Sequence, residues 1–152
     1  SFSSSFITRN ALGFRIDYKG RSISISGDTI YDKNLITYSQ DVDVLFHESM
    51  SVELLDRINN IAKKTNNFVV DTVTVDILDY HTPILDVVKA ANEANVKHLV
   101  FYHHLPAPRN QLMEDIMYRG VDEIRDEWTA SHDGTMLVLP LNSEEIEISS
   151  VN

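Results

Sequence analysis

Apolar and polar residues alternate from Leu12 to Tyr18, with Phe14 and Ile16 on one face. They alternate again from Arg21 to Ser26, with Ile23 and Ile25 together. Lys19 and Gly20 separate the two runs, so the pattern predicts a β-hairpin. Gly27-Asp28-Thr29 ends its second strand, and a short helix is expected near 33–39. From Val42 to His47 the apolar residues run nearly together, as in a buried strand. Val52, Leu55, Ile58 and Ile61 or Ala62 then follow at helical spacing across 51–64, with Ser51 placed to cap the helix before Glu53.

Asn66-Asn67 breaks that helix. The next stretch, 68–78, reads both ways: its β-branched residues favour a strand, while Val70, Val73 and Ile77 fit a helix. Pro83 can open a helix at its first turn, and Leu85, Val88 and Ala91 carry it to about Asn95. Val96–Tyr102 is another strand, met at once by His103-His104. A helix over 110–117, a turn at 132–135 into a strand at 136–139, and a last strand at 145–151 complete the pattern. Residues 1–10 are Ser-rich and read as a loose lead-in to one domain over 11–152. A hairpin, then strand and helix in alternation, then two strands predict an α/β layered domain.

Composition narrows the chemistry. The 152 residues are 43% hydrophobic and 24% charged, which suits one globular domain. There is no cysteine, so any metal must be held by histidine and carboxylate. Net charge is −10, which disfavours a nucleic-acid partner and reads mainly as solubility. No apolar run reaches the roughly 18 residues needed to span a bilayer. SFSSSFITRN is no signal peptide, so the compartment stays open.

Four of the six histidines, with Asp28 and Glu48, fall at strand ends or loop starts, and none of these lies within a helix. Histidine and aspartate are natural ligands for zinc or a similar divalent ion. A carboxylate bridging two metals is common in hydrolytic sites. No nucleophile elbow, P-loop, dinucleotide fingerprint or HExxH competes.

Five segments, in order, resemble the second half of the metallo-β-lactamase-fold hydrolases. They are Gly13–Thr29 with its Gly-Asp-Thr turn, Asp41–Glu48 ("ADLLIHE"), Asp79–Pro83 ("YHTS"), Val96–His103 ("VKxLVLTH") and Asp133–Leu139 ("DGxxIxL"). The branch they are most similar to holds ribonuclease Z and the arylsulfatase-like hydrolases. The resemblance implies half of an αββα sandwich, a mixed sheet with helices on its outer face. It implies two divalent metal ions, zinc being expected, with Asp28 bridging and His103 binding one. His81 would protonate the leaving group, oriented by Glu48, which makes those two the catalytic pair. His104 would support the site or face the substrate, and His47 would be structural.

The family's His-x-His-x-Asp-His is absent from these residues. The expectation is therefore a chain that binds metal weakly or not at all by itself, cut from a longer protein or paired in a homodimer. The expected activity is hydrolysis of a small-molecule ester: a phosphodiester, a sulfate ester or a lactone. The alternative is an inactive structural or dimerising module.

Overall fold

The computed structural model describes residues 5–8 and 11–151, with side chains from residue 12 on. A six-stranded sheet runs in chain order: β1 (Ser5–Thr8), β2 (Ala11–Tyr18), β3 (Arg21–Ile25), β4 (Val44–Met50), β5 (His98–Leu105) and β6 (Trp128–Ala130). The β1–β2 and β2–β3 pairs are antiparallel; from β3 onward all pairs are parallel. Two more strands, β7 (Thr135–Val138) and β8 (Glu147–Ser150), form a separate antiparallel pair. The helices are α1 (Lys33–Tyr38), α2 (Val52–Lys64), α3 (Phe68–Asp76), α4 (Ile84–Glu93) and α5 (Gln111–Met117). The mixed α/β reading and the hairpin hold.

The loose lead-in does not hold throughout. Residues 5–8 pair with β2 in the register Ser5↔Phe14 to Thr8↔Ala11, because an edge strand offers unpaired backbone groups to any neighbouring segment. Residues 1–4 and 9–10 lie outside the described residues. The ambiguous stretch is helical. Asn66, at φ 53°, turns the chain out of α2, and the Asn67 side chain then accepts the Val70 amide at 3.3 Å to cap α3. A cap thus decides what propensity left open. Ser51 caps α2 as expected, accepting from the Leu54 amide.

The core lies between the sheet and helices α1, α4 and α5. Leu45, Leu99 and Phe101 meet Leu35, Val87, Val88, Ala91, Met117, Tyr118 and Val121 there. On β2 the alternate residues Leu12, Phe14, Ile16 and Tyr18 are all exposed, between 42% and 62%. An open apolar row of this kind is what half a sandwich was expected to show. Arg21 fastens the closing segment to the sheet. Its guanidinium is buried, donates to the carbonyls of Pro140 and Glu145 at 3.1 and 3.0 Å, and pairs with Asp43 at 3.1 Å.

Asp43 and His47 are two of the buried groups on which acid stability depends. Burial alone would raise the Asp43 carboxyl. The Ser22 amide, Lys97 and Arg21 outweigh it and hold the group below its ordinary value. Burial pushes His47 down to about 4. A depressed histidine stays neutral in the fold while the unfolded chain takes up a proton, so stability falls as pH drops from about 6.5 toward 4, by on the order of 3 kcal/mol from His47. His81, His98 and His104 are lowered as well and add to this loss. A depressed aspartate contributes stability above about 3.9 that disappears as pH falls through its folded value. The buried Glu48 carboxyl, pushed up to about 8, works the other way and offsets part of the histidine loss, so melting temperature should decline from pH 6.5 to 4 by less than the histidines alone dictate and drop again below it. Asp43→Asn should flatten the second decline and lower the melting temperature at pH 7; an unchanged acid limb would remove Asp43 from this account.

Candidate metal centre

Three loops converge at the carboxyl ends of β3, β4 and β5, the end of a layered α/β sheet where ligands gather. Asp28 follows β3 through Gly27, whose φ is +62°. A Cβ on Gly27 would sit 2.4 Å from the Leu12 carbonyl oxygen, so only glycine lets the turn lie against β2. That close approach fixes where Asp28 emerges.

His81 is held from below. Glu48 on β4 is fully buried, and its Oε1 accepts the Thr82 amide at 2.6 Å. The Thr82 hydroxyl donates to the Thr29 carbonyl at 2.5 Å, and the Thr82 carbonyl accepts the Met50 amide at 3.2 Å. The loop before α4 is thus tied both to β4 and to the Asp28 turn. His81 Nδ1 lies 3.3 Å from Glu48 Oε2, and among the described residues neither atom has a hydrogen-bond partner. Burial pushes the Glu48 carboxyl up to about 8 and pushes His81 down. Both shifts say that the interior resists a full charge pair here, so the two side chains share one proton near neutrality. With Nδ1 turned to Glu48, Nε2 is the nitrogen left for the site.

His103 arrives by an irregularity. Along β4 and β5 the partners are His47↔Phe101 and Glu48↔Tyr102, then Ser49↔His104. His103 is skipped, at φ 47°. This is a β-bulge, one residue on β5 with no partner on β4. Side chains alternate across a sheet, so a regular strand would put His103 on the side of Phe101, in the helix layer. The bulge puts it on the opposite side. There its Nε2 lies 3.6 Å from Asp28 Oδ1, and its ring centroid 5.6 Å from that of His81. The two strands also run beyond the expected ends, β4 to Met50 rather than His47-Glu48 and β5 to Leu105 rather than Tyr102.

Asp28, His81 and His103 each offer a ligand atom, all within 4.8 Å of one another. A carboxylate and two imidazoles at that spacing suit a divalent ion with ligand distances of about 2.0–2.2 Å after small rotamer adjustments. The donor set therefore fits the implied metal. Asp28 and His103 are about half exposed whereas His81 is buried, leaving the first two open to further ligands. His104 does not join them; its ring lies on the helix side, against Tyr118. His47 is fully buried, its Nδ1 donating to the Glu48 carbonyl at 2.7 Å, and His132 pairs with Glu114 at 2.8 Å. Sequence patterns missed Tyr102, which sits beside Ser26, Gly27, Asp28 and Glu48. A tyrosine ending an apolar strand carries no signal for such a role.

No protein-family profile matches the chain. Among curated proteins it is 30% identical over 96 residues to a putative ribonuclease Z of Mycobacterium tuberculosis, covering 63% of this chain and 38% of that protein. It is 29% identical over 112 residues to ribonuclease Z of Nanoarchaeum equitans, covering 74% of this chain and 30% of the relative. The chain thus spans roughly a third of the length of the curated relatives it matches. Among solved structures, the metallo-β-lactamase-fold protein YhfI of Bacillus subtilis matches 77% of this chain and 39% of its own, with TM-score 0.51 and 16% identity. The chain therefore carries part of a metallo-β-lactamase fold and is similar in sequence to ribonuclease Z.

Proposed function

We propose that this chain supplies one side of the active site of a metal-dependent phosphodiesterase of the ribonuclease Z kind. The convergence of Asp28 from the turn after β3, His81 from the loop before α4 and His103 from the bulge in β5, with Glu48 buried behind His81, carries the reading. The relatives' name favours a phosphodiester over a sulfate ester or a lactone. It also weighs against the expectation of a small-molecule substrate with nucleic acid disfavoured. The charge of −10 leaves the basic surface that RNA needs to be supplied from outside these 152 residues.

Asp28 and His103 would hold divalent metal, zinc being the expected ion. When bound, such ions lower the pKa of water and polarise a phosphoryl oxygen. His81 would present Nε2 to the leaving oxygen and hand it a proton, which needs a nitrogen protonated near neutral pH. Glu48 is the positioning residue: it faces Nδ1, fixes the ring's orientation and returns the shared proton. Two donors make an open site, so further ligands would have to come from outside these residues.

The test is zinc titration of the chain, followed by the histidine ring signals in NMR, alongside EDTA-sensitive hydrolysis of bis(p-nitrophenyl) phosphate by the protein carrying the remaining ligands. Zinc should move the His103 signals first, with weak affinity in the chain alone. Zinc that shifts only His132 or His98 would overturn the assignment.

The alternative, an inactive structural or dimerising module, has the exposed β2 row in its favour. Against it stands the buried Glu48–His81 pair, whose facing Oε2 and Nδ1 cost desolvation beyond what tying down the loop requires.

A further inference from the structure

The bulge that turns His103 toward the site has no glycine to favour it. A histidine at φ 47° is in the left-handed region, which costs a non-glycine residue about 1–2 kcal/mol. Something must hold it there, and the next residue is placed to do so.

His104 opposes Ser49 across the ladder and lies on the side of Phe101. Its Nε2 is 2.7 Å from the Ser131 carbonyl, which can only accept, so Nε2 carries the proton. Nδ1 then has the lone pair. It accepts from the Tyr118 hydroxyl at 2.6 Å, and the Ser49 hydroxyl lies at 2.9 Å. The Ser49 hydroxyl can turn instead to the Tyr102 carbonyl at 3.4 Å. One imidazole thus joins β4, β5, the end of α5 and the segment after β6. Tyr118, its main donor, packs into a cluster of three rings, 5.1 Å from Phe101 and 5.1 Å from Trp128.

We infer that His104 is a positioning residue: its hydrogen bonds to Tyr118, Ser49 and Ser131 lock the strand phase after the bulge and so keep His103 facing Asp28 and His81. A strand slip of one residue would exchange the two histidines, putting His103 in the helix layer and His104 in the site. In the observed register it is the His104 ring that stands in the helix layer, bonded at Nδ1 to a donor and at Nε2 to an acceptor, and both bonds must break before the strand can slip. The purpose of the arrangement rests on the proposed metal role of His103; the arrangement itself does not.

The experiment is NMR of the whole chain without metal, comparing wild type, His104→Phe, His104→Asn and Tyr118→Phe. In wild type, His103 should show the amide–Hα coupling of left-handed backbone and cross-relaxation with the His81 ring. His104→Phe keeps a ring but loses both polar ends, so the coupling should move to that of an extended strand and the His81 contact should vanish. His104→Asn places an acceptor where Nδ1 stood and should restore both. If His104→Phe does not fold, Tyr118→Phe decides: weakening of the His81–His103 contact supports the inference. Wild-type coupling and contact in a folded His104→Phe, or in Tyr118→Phe if it alone folds, would overturn it.

A zinc arm separates the two readings. Zinc affinity should fall about 10–100-fold in His104→Phe, the usual effect of losing a group that orients a ligand, and should vanish in Asp28→Ala. If Asp28→Ala binds zinc as wild type does, the site assignment fails, while the NMR result still judges His104.

Discussion

Asp28→Ala and His81→Ala are expected to fail in different ways. In the protein carrying the complete site, Asp28→Ala should cost on the order of 10³-fold or more in kcat/KM for every substrate, since it removes the carboxylate proposed to hold metal and several kcal/mol of transition-state stabilisation would go with it. His81→Ala should cost about 10²–10⁴-fold, but only where the leaving group needs a proton. An alkoxide or ribose oxygen needs one; p-nitrophenolate does not. With Ala at 81, a p-nitrophenyl diester should be hydrolysed within a few-fold of the wild-type rate, while an alkyl diester or RNA should barely turn over. Metal content should stay near wild type in His81→Ala and fall in Asp28→Ala.

The contrast follows from the geometry. His81 is buried with Nδ1 on Glu48, whereas Asp28 and His103 are half exposed and 3.6 Å apart. Glu48→Gln should reproduce His81→Ala for poor leaving groups in weaker form, because the amide still faces the ring but cannot pass the shared proton. Equal losses for good and poor leaving groups, together with lost metal, would make His81 a ligand rather than a proton donor.

The parts of this site differ in how far the sequence shows them. Asp28 is legible because Gly27 must precede it: a strand, a glycine and an aspartate are a local signature whose cause is local, the 2.4 Å approach to Leu12. His81 is legible through Thr82-Pro83, which starts α4 and fixes the loop. Glu48 is legible as a carboxylate at the end of an apolar run, although its burial is not, since that depends on the 79–83 loop folding over it. His103 and His104 are legible as a pair, but which of them reaches the site is not. The choice is made by a bulge, and the bulge is held by Tyr118 and Ser131, far along the chain.

The same division applies to the fold. The hairpin, α2, α4 and β4 follow from periodicity. β1 and β6 do not, because strands of four and three residues are fixed by the ladder they join rather than by any pattern of their own. Helix α3 shows the intermediate case, where Asn67 settles a stretch whose β-branched residues argue otherwise.

Gly27→Ala joins the local signature to the chemistry and should be strongly damaging for a single added methyl group. The added Cβ meets backbone, not a movable side chain, at 2.4 Å, and the φ of +62° strains any L residue. Left-handed backbone costs about 1–2 kcal/mol, and forced displacement of a packed neighbour about 1–3 kcal/mol, so unfolding free energy should fall by roughly 2–5 kcal/mol. Relief can come only by moving β2 outward or by swinging the Gly27-Asp28 turn away from it. The second is easier, because β2 is paired on both sides and the turn is not. The turn is also tied to the site through the Thr82 hydroxyl and the Thr29 carbonyl, so Asp28 and His81 should move together. Denaturant unfolding and zinc titration of the same variant measure the two consequences separately. A destabilised Gly27→Ala that still bound zinc as wild type does would show that β2 yields instead, and that the approach to Leu12 serves the fold and not the placing of Asp28.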